Sequence, residues 1–306
     1  MGHWQKGKGW GWVWGPDDEI GALNAITPQS VLAALKLVKQ GKIADLGVTV
    51  DRGSFRWAGH AATEIMSYRT PHGERVAGDN VPGSNDPRWH STAIFTGDNV
   101  GTHLDSLGHL TVGTGADTHW YNGYKEDQHG GDFGLRKASV DKFPPIVARG
   151  VLIDVAGCKN LESLQNSYPI SPKDMREALD WERLSLQTGD VILIRTGAGR
   201  YWGETGADHA KLEGPDTAGI TLESARWLVE EFGAILIGSD TSTVEVVPFT
   251  EMVHPYLLVE QGVPLGEIHY LEQLSQERIY EFLYVAATNK IKGAAAGVAM
   301  RPFAIY

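Results

Sequence analysis

The sequence predicts an α/β protein: a single domain in which helices cover a mixed sheet. Three observations carry this. Strand-like and helix-like patterns alternate through the second half of the chain, the order that buries a sheet between helices. Two of the strand patterns, Val191-Ile192-Leu193-Ile194 and Ala234-Ile235-Leu236-Ile237, are continuous apolar runs bounded by glycines, as expected of strands covered on both faces. The 306 residues, 42% hydrophobic and 21% charged, suit one sizeable core, and neither an internal repeat nor a linker divides them.

Taken in order, the chain opens on an arm, residues 1–25, in which Trp4, Trp10, Trp12 and Trp14 alternate with Gly2, Gly9, Gly11 and Gly15. Indoles on a glycine-rich segment have no core of their own, so they are expected to dock on the body or on a neighbouring subunit. A sharper alternative is an aromatic patch beside a substrate. Thr27-Pro28 reads as a cap and first helical position, opening a helix striped by Val31, Leu32, Leu35 and Val38 and stopped at Gly41. A strand is expected over Ala44 to Val50. Residues 52–91, rich in Gly, Pro, His and Arg, read as a long loop, either a lid or a surface excursion. Ile146 to Val155 reads as strand, and Ser171-Pro172-Lys173-Asp174 as a capping box opening a helix to about Leu184. Val191 to Gly197 follows as buried strand. Thr221 then caps a helix closed by Gly233, and the second apolar run ends at Ser239-Asp240-Thr241.

Composition narrows the function. A net charge of −11 and a pI near 5.4 disfavour nucleic acid, whose phosphates need a basic surface. No apolar run approaches the roughly 18 residues of a membrane span, and Met1 to Lys6 carries no signal-peptide core. A lone cysteine, Cys158, excludes an intrachain disulfide and a cysteine-based zinc site. A cytoplasmic location is the expectation.

The chemistry concentrates in Asn99-Val100-Gly101-Thr102-His103-Leu104-Asp105-Ser106-Leu107-Gly108-His109. Two glycines and a threonine make it a poor helix. As a strand it points Asn99, Gly101, His103 and Asp105 to one face, with a gap at Gly101 for a ligand or another backbone. A histidine and a carboxylate two apart can grip one divalent cation, and His109, past a turn, can fold back as acid or base. The alternative is a polar strand edge whose histidines merely hydrogen-bond. A second cluster can complete the first. His254 stands at the start of a short helix through Glu260, where a neutral, metal-binding imidazole is favoured. Glu267 interrupts an apolar run (Val263, Leu265, Ile268) and so is expected to face inward, towards a cation or towards an arginine such as Arg301.

Together these clusters resemble the putative cyclase family, which includes bacterial kynurenine formamidase and isatin hydrolase and whose hallmark is His-x-Gly-Thr-His-x-Asp with a further His four residues on. Here it stands as Asn99-Val100-Gly101-Thr102-His103-Leu104-Asp105, then His109. Supporting matches are Trp14-Gly15-Pro16-Asp17-Asp18-Glu19-Ile20-Gly21-Ala22-Leu23-Asn24, Tyr121-Asn122-Gly123, Gly189 to Gly197, Gly238-Ser239-Asp240-Thr241, His254 with Leu257-Leu258, Glu267 ahead of Leu271 to Leu274, and Gly297 to Arg301. The Trp14 segment is similar to that of the family's longer members.

The resemblance implies a swivelling β/β/α fold, a homodimer or homotetramer, and a manganese or zinc ion. It makes His103, Asp105, His254 and Glu267 ligands and His109 the catalytic imidazole, and it puts Asn99, Tyr121 and Asp240 near substrate. Asn99 departs from the pattern, standing where the family's first histidine ligand belongs. A hard, weak amide donor would shift preference from zinc towards manganese or magnesium. Alternatively Asn99 hydrogen-bonds substrate or a metal-bound water, or the metal site has decayed. The implied function is hydrolysis of a small cyclic amide, lactone or formamide by a metal-activated water with His109 as acid/base. The alternatives are a metal-dependent cyclase or dehydratase and a non-catalytic homologue.

Overall fold

A computed structural model describes residues 3–79, 82–83, 85–203, 208–212, 216–296 and 299–306. Gly2 of the N-terminal arm and Gly297-Val298 near the C-terminus, both singled out from sequence, lie outside these residues.

The described residues form twelve strands: β1 Ile43–Asp45, β2 Glu64–Arg69, β3 Ser91–Phe95, β4 His103–Asp105, β5 Ile146–Asp154, β6 Pro169–Ile170, β7 Val191–Arg195, β8 Gly219–Ile220, β9 Leu236–Ser239, β10 Leu265–Glu267, β11 Glu281–Ala286 and β12 Phe303–Ile305. Eight form one mixed sheet in the order β1-β12-β11-β5-β7-β9-β10-β4. Neighbours from β5 through β10 pair in parallel, while β4 and the β11, β12 and β1 side pair antiparallel. The continuous apolar runs become β7 and β9, buried along their length. The domain is thus mixed α/β, as the alternating patterns predict. No helix among the described residues is long and apolar enough to cross a membrane.

Local chemistry explains most helix boundaries. Ser171 caps Pro172–Glu182 with Asp174 returning the bond, and Thr221 caps Leu222–Arg226. That helix continues as a π-helical turn, Trp227–Glu231, and a second π-helical segment is Pro255–Glu260. The helix capped by Thr27 ends at Leu35 rather than near Gly41. Its expected stripe also fails, because Leu32 and Leu35 are exposed and Ala34 is the buried residue. The helix packs on β5 and leaves these leucines in solvent. The expected strand to Val50 stops at Asp45, and residues 52–91 are no bare loop: they contain β2, the helix Pro71–Ala77 and the start of β3.

The tryptophan arm lies against the body of its own chain. Trp4 Nε1 donates to Val229 O (2.7 Å), Trp12 Nε1 to Val259 O (2.7 Å) and Trp10 Nε1 to Ala234 O (2.9 Å). Val229 and Val259 lie within the two π-helical segments, near their C-terminal ends, so the indoles tie the arm to both segments; Val229 O also accepts from the Phe232 and Gly233 N–H groups. Gln261 Oε1 accepts from the backbone N–H groups of Trp10 and Gly11. The arm therefore pins the far end of the segment that begins next to His254.

Candidate metal centre

β10 and β4 pair with Glu267 opposite His103 and Leu265 opposite Asp105. Side chains two apart share a face, and directly opposed residues share it too, so the register alone brings His103, Asp105 and Glu267 together. All three are buried, and one ligand atom from each falls within a 4.8 Å cluster. His103 Nε2 lies 3.5 Å from Asp105 Oδ1 and 3.3 Å from Glu267 Oε2.

His254 enters from the start of Pro255–Glu260, as the sequence indicates. Its Nε2 lies 3.6 Å from Asp105 Oδ2 and 3.4 Å from Glu267 Oε1. Each carboxylate thus turns one oxygen to each imidazole. The arginine alternative for Glu267 is excluded, because Arg301 Nε pairs with the Asp45 carboxylate at 2.8 Å.

Both histidines are oriented from behind. His103 Nδ1 donates to Gly101 O (2.8 Å) and His254 Nδ1 donates to Glu245 Oε1 (2.6 Å), so that Nε2 of each ring faces the centre. Glu245, buried at 2% exposure, also accepts from Val253 N–H through Oε2. The backbone beside the two glutamates is strained. Val244 precedes Glu245 with φ 58°, and Ile268 follows Glu267 with φ 52°, left-handed values that β-branched residues rarely adopt. Ile268 is held there by Thr102 Oγ1 donating to its carbonyl (2.6 Å) and by its own N–H donating to Thr241 O.

Charges at the centre are strongly coupled. Burial opposes a positive His103, but the Asp105 and Glu267 carboxylates outweigh it and push the imidazole up to about 10. His254 is raised well above its ordinary value against the same burial, by Asp105, Glu245 and Glu267. Burial would raise Asp105, yet His109, His103 and His254 hold it far below the usual carboxylate range. Neither oxygen of Asp105 has a hydrogen-bond partner, and contacts of 3.5–3.6 Å are too long to supply one. Two imidazole nitrogens and two carboxylates around an unsatisfied buried oxygen pair fit a divalent cation.

His109, half-buried, stands with its ring 6.2 Å from that of His254, centroid to centroid. Asn99 is not on a strand face with His103. Only residues 103–105 are strand; the chain before them turns at Gly101 (φ 60°), and the expected gap there is filled by Val50, whose Cγ2 lies 2.5 Å from where a Cβ would stand. The Asn99 amide nitrogen instead lies 2.8 Å from His60 Nδ1.

Tyr121 and Asp240 are not brought into the cluster. Tyr121 is fully buried, its hydroxyl donating to Asp18 Oδ2 (2.7 Å). Asp240 accepts from Thr196 N–H and hydroxyl and from the Gly197 and Gly199 N–H groups, which fix the turn after β7. Sequence reasoning missed Glu245 and left His60, which from the long loop region could reach the site, without a role. Glu245 carries the signal used for Glu267, a lone charge in an apolar run (Val244, Val246, Val247).

Comparison with known proteins bears on the family and the fold. Residues 44–246 match the family model described as putative cyclase. A crystal structure of a novel cyclase superposes with a TM-score of 0.84 at 27% identity, covering 98% of each chain. Isatin hydrolase A from Labrenzia aggregata, bound to benzyl benzoate, gives 0.59 at 21% identity over 86% of this chain and 93% of its own. A predicted metal-dependent hydrolase from Bacillus stearothermophilus gives 0.52 at 17% identity over 86% and 97%. No curated protein matches.

Proposed function

The chain belongs to the putative cyclase family, and from that membership we propose that it is a metal-dependent hydrolase opening a small cyclic amide, lactone or formamide. One observation carries the reading: His103 and His254 each present Nε2 to Asp105 and Glu267, and the oxygens of Asp105 have no other partner. These four residues would hold a manganese or zinc ion. Bound there, the ion polarises a carbonyl and lowers the pKa of water.

The chain's own residues supply the rest. Gly101 O and Glu245 keep the two imidazoles in the tautomer that leaves Nε2 free. His109, beside His254, takes a proton from the attacking water and returns it to the leaving nitrogen or oxygen. Asn99, engaged by His60, hydrogen-bonds substrate at the rim. Phe55, Trp57 and Trp202 pack with Ile268, the residue after Glu267, and form an apolar wall that limits water.

Metal analysis of untagged protein, a screen of cyclic amides, lactones and formamides, and turnover in ¹⁸O-labelled water test the reading. One label per product carboxylate is expected. His109→Ala should keep the metal and lose at least about 100-fold in turnover. Full activity in that variant would sink its assignment, and a metal-free, inactive wild type would sink the whole reading.

A further inference from the structure

His254 enters the centre from the start of a π-helical segment, Pro255–Glu260. Its ladder runs five residues back, as in the bond from Gln261 N–H to Tyr256 O (3.0 Å). In that register Val259 N–H is the partner of the His254 carbonyl. A π-helical turn is rare and occurs frequently at functional sites. Relaxing this one to the α ladder would pass the His254 carbonyl from Val259 to Leu258 and turn the imidazole about the helix axis, away from Asp105 and Glu267. Glu245 holds the ring, so the backbone that carries the ring needs a support of its own.

The tryptophan arm supplies it at the other end of the segment. Trp12 Nε1 donates to the carbonyl of Val259 (2.7 Å), the residue that closes the ladder on His254. Two residues on, Gln261, 8% exposed, accepts through Oε1 from the backbone N–H groups of Trp10 (2.8 Å) and Gly11 (3.1 Å). Gly262 O then accepts from Ala22 N–H (2.8 Å). The fit is close: a Cβ at Gly9 (φ 76°) would run into Gln261 Oε1, and one at Gly262 would stand 2.5 Å from the Tyr121 ring. Trp12 is itself seated edge-on against His119 and Tyr121, at 6.2 and 6.5 Å between ring centroids, so its N–H is a fixed donor.

From these contacts we infer that Trp12 and Gln261 are positioning residues for His254. They hold the π-helical register of Pro255–Glu260, and through it the place of His254 Nε2 beside Asp105 and Glu267. The inference deepens the proposed metal centre, on which its consequence for metal affinity rests. The arm binds the other π-helical segment in the same way, with Trp4 Nε1 donating to Val229 O and Gly7 N–H to Glu230 O (2.8 Å). That segment, Trp227–Glu231, carries no residue of the centre, so cutting its bond gives a matched comparison.

Carbethoxylation of histidines by diethyl pyrocarbonate, read by peptide mass spectrometry on the metal-free full chain, tests the inference without any activity. Trp12→Phe keeps an aromatic ring and loses the N–H, and Gln261→Met keeps the shape and loses the acceptor. Each should speed modification of His254 by at least about fivefold, the size set by one ordinary hydrogen bond, while His103 on β4 stays within twofold of wild type. A role in general stability would move both histidines together. Trp4→Phe should leave His254 at the wild-type rate. Affinity for Mn²⁺ or Zn²⁺, by competition with a chelator, should fall by a similar factor in the first two variants and hold within twofold in Trp4→Phe. An unchanged His254 rate in Trp12→Phe and Gln261→Met, parallel exposure of His103, or an equal effect of Trp4→Phe overturns the inference. A wild type that binds neither ion while His254 responds as expected sinks the metal reading and upholds the positioning role.

Discussion

Glu245 is the residue whose replacement tests the centre most directly. Its Oε1 accepts from His254 Nδ1 at 2.6 Å and its Oε2 accepts from Val253 N–H, all of it buried. Removing the carboxylate frees the imidazole to rotate or to adopt the other tautomer, and it lowers the basicity of Nε2. A hydrogen bond to a charged group contributes about 1.5–3 kcal/mol, and 1.4 kcal/mol is tenfold in affinity, so Glu245→Ala should weaken metal binding by roughly 10- to 100-fold. Glu245→Gln keeps an acceptor and loses the charge, so a loss of about tenfold is expected. Competition of Mn²⁺ or Zn²⁺ against a chelator of known affinity measures this, with metal-free thermal unfolding as the control for folding. If both variants bind metal within twofold of wild type while folding normally, the carboxylate–histidine arrangement has no role in metal binding.

Further outcomes follow from other parts of the structure. His103, ordinarily near 6.5, is pushed up to about 10 in the metal-free fold, so its charge stabilises the fold below pH 6.5 and that contribution is lost as pH rises towards 10. A metal needs the neutral ring, so affinity should rise with pH across that window, and calorimetry at pH 7.5 in two buffers should show between one and two protons released; none released would refute it. Glu182, raised to about 8 by burial and by Asp154, has one oxygen without a partner. As an acid with a raised pKa it destabilises the fold increasingly from about pH 4.5 to 8, so Glu182→Gln should raise stability by on the order of 2 kcal/mol at pH 8.5 and by little at pH 4.5, read by urea unfolding. Gly21, at φ 56°, approaches Gly262 so closely that a Cβ would stand 2.1 Å from its carbonyl oxygen. Gly21→Ala should cost at least about 2 kcal/mol and lower the melting temperature by several degrees; an unchanged melting curve would contradict that packing.

Much of the site could be read in the sequence because its determinants are local. The two-residue spacing of His103 and Asp105 forces them onto one face of any strand that contains both. The isolated charge of Glu267 in an apolar run forces it to seek a partner, and Pro255 sets the turn before which His254 must stand. Apolar periodicity likewise located β5, β7 and β9 and the helix from Pro172. Where local pattern misled, packing had overruled it. Leu32 and Leu35 make an apolar stripe on paper, yet Ala34 is the residue the fold buries. Asn99 fits a strand alternation that the left-handed Gly101 breaks.

What the sequence determined by itself was therefore the class of fold and the types of donor, because spacing and hydrophobic period act over a few residues. The tertiary structure decided which donors meet. The register of β10 on β4 sets Glu267 opposite His103, 164 residues apart in the chain. Glu245 finds His254 through a strained turn, and the Asn99 amide finds His60 across a 39-residue excursion. No local pattern encodes such pairings, because they follow from the sheet order that buries the apolar runs.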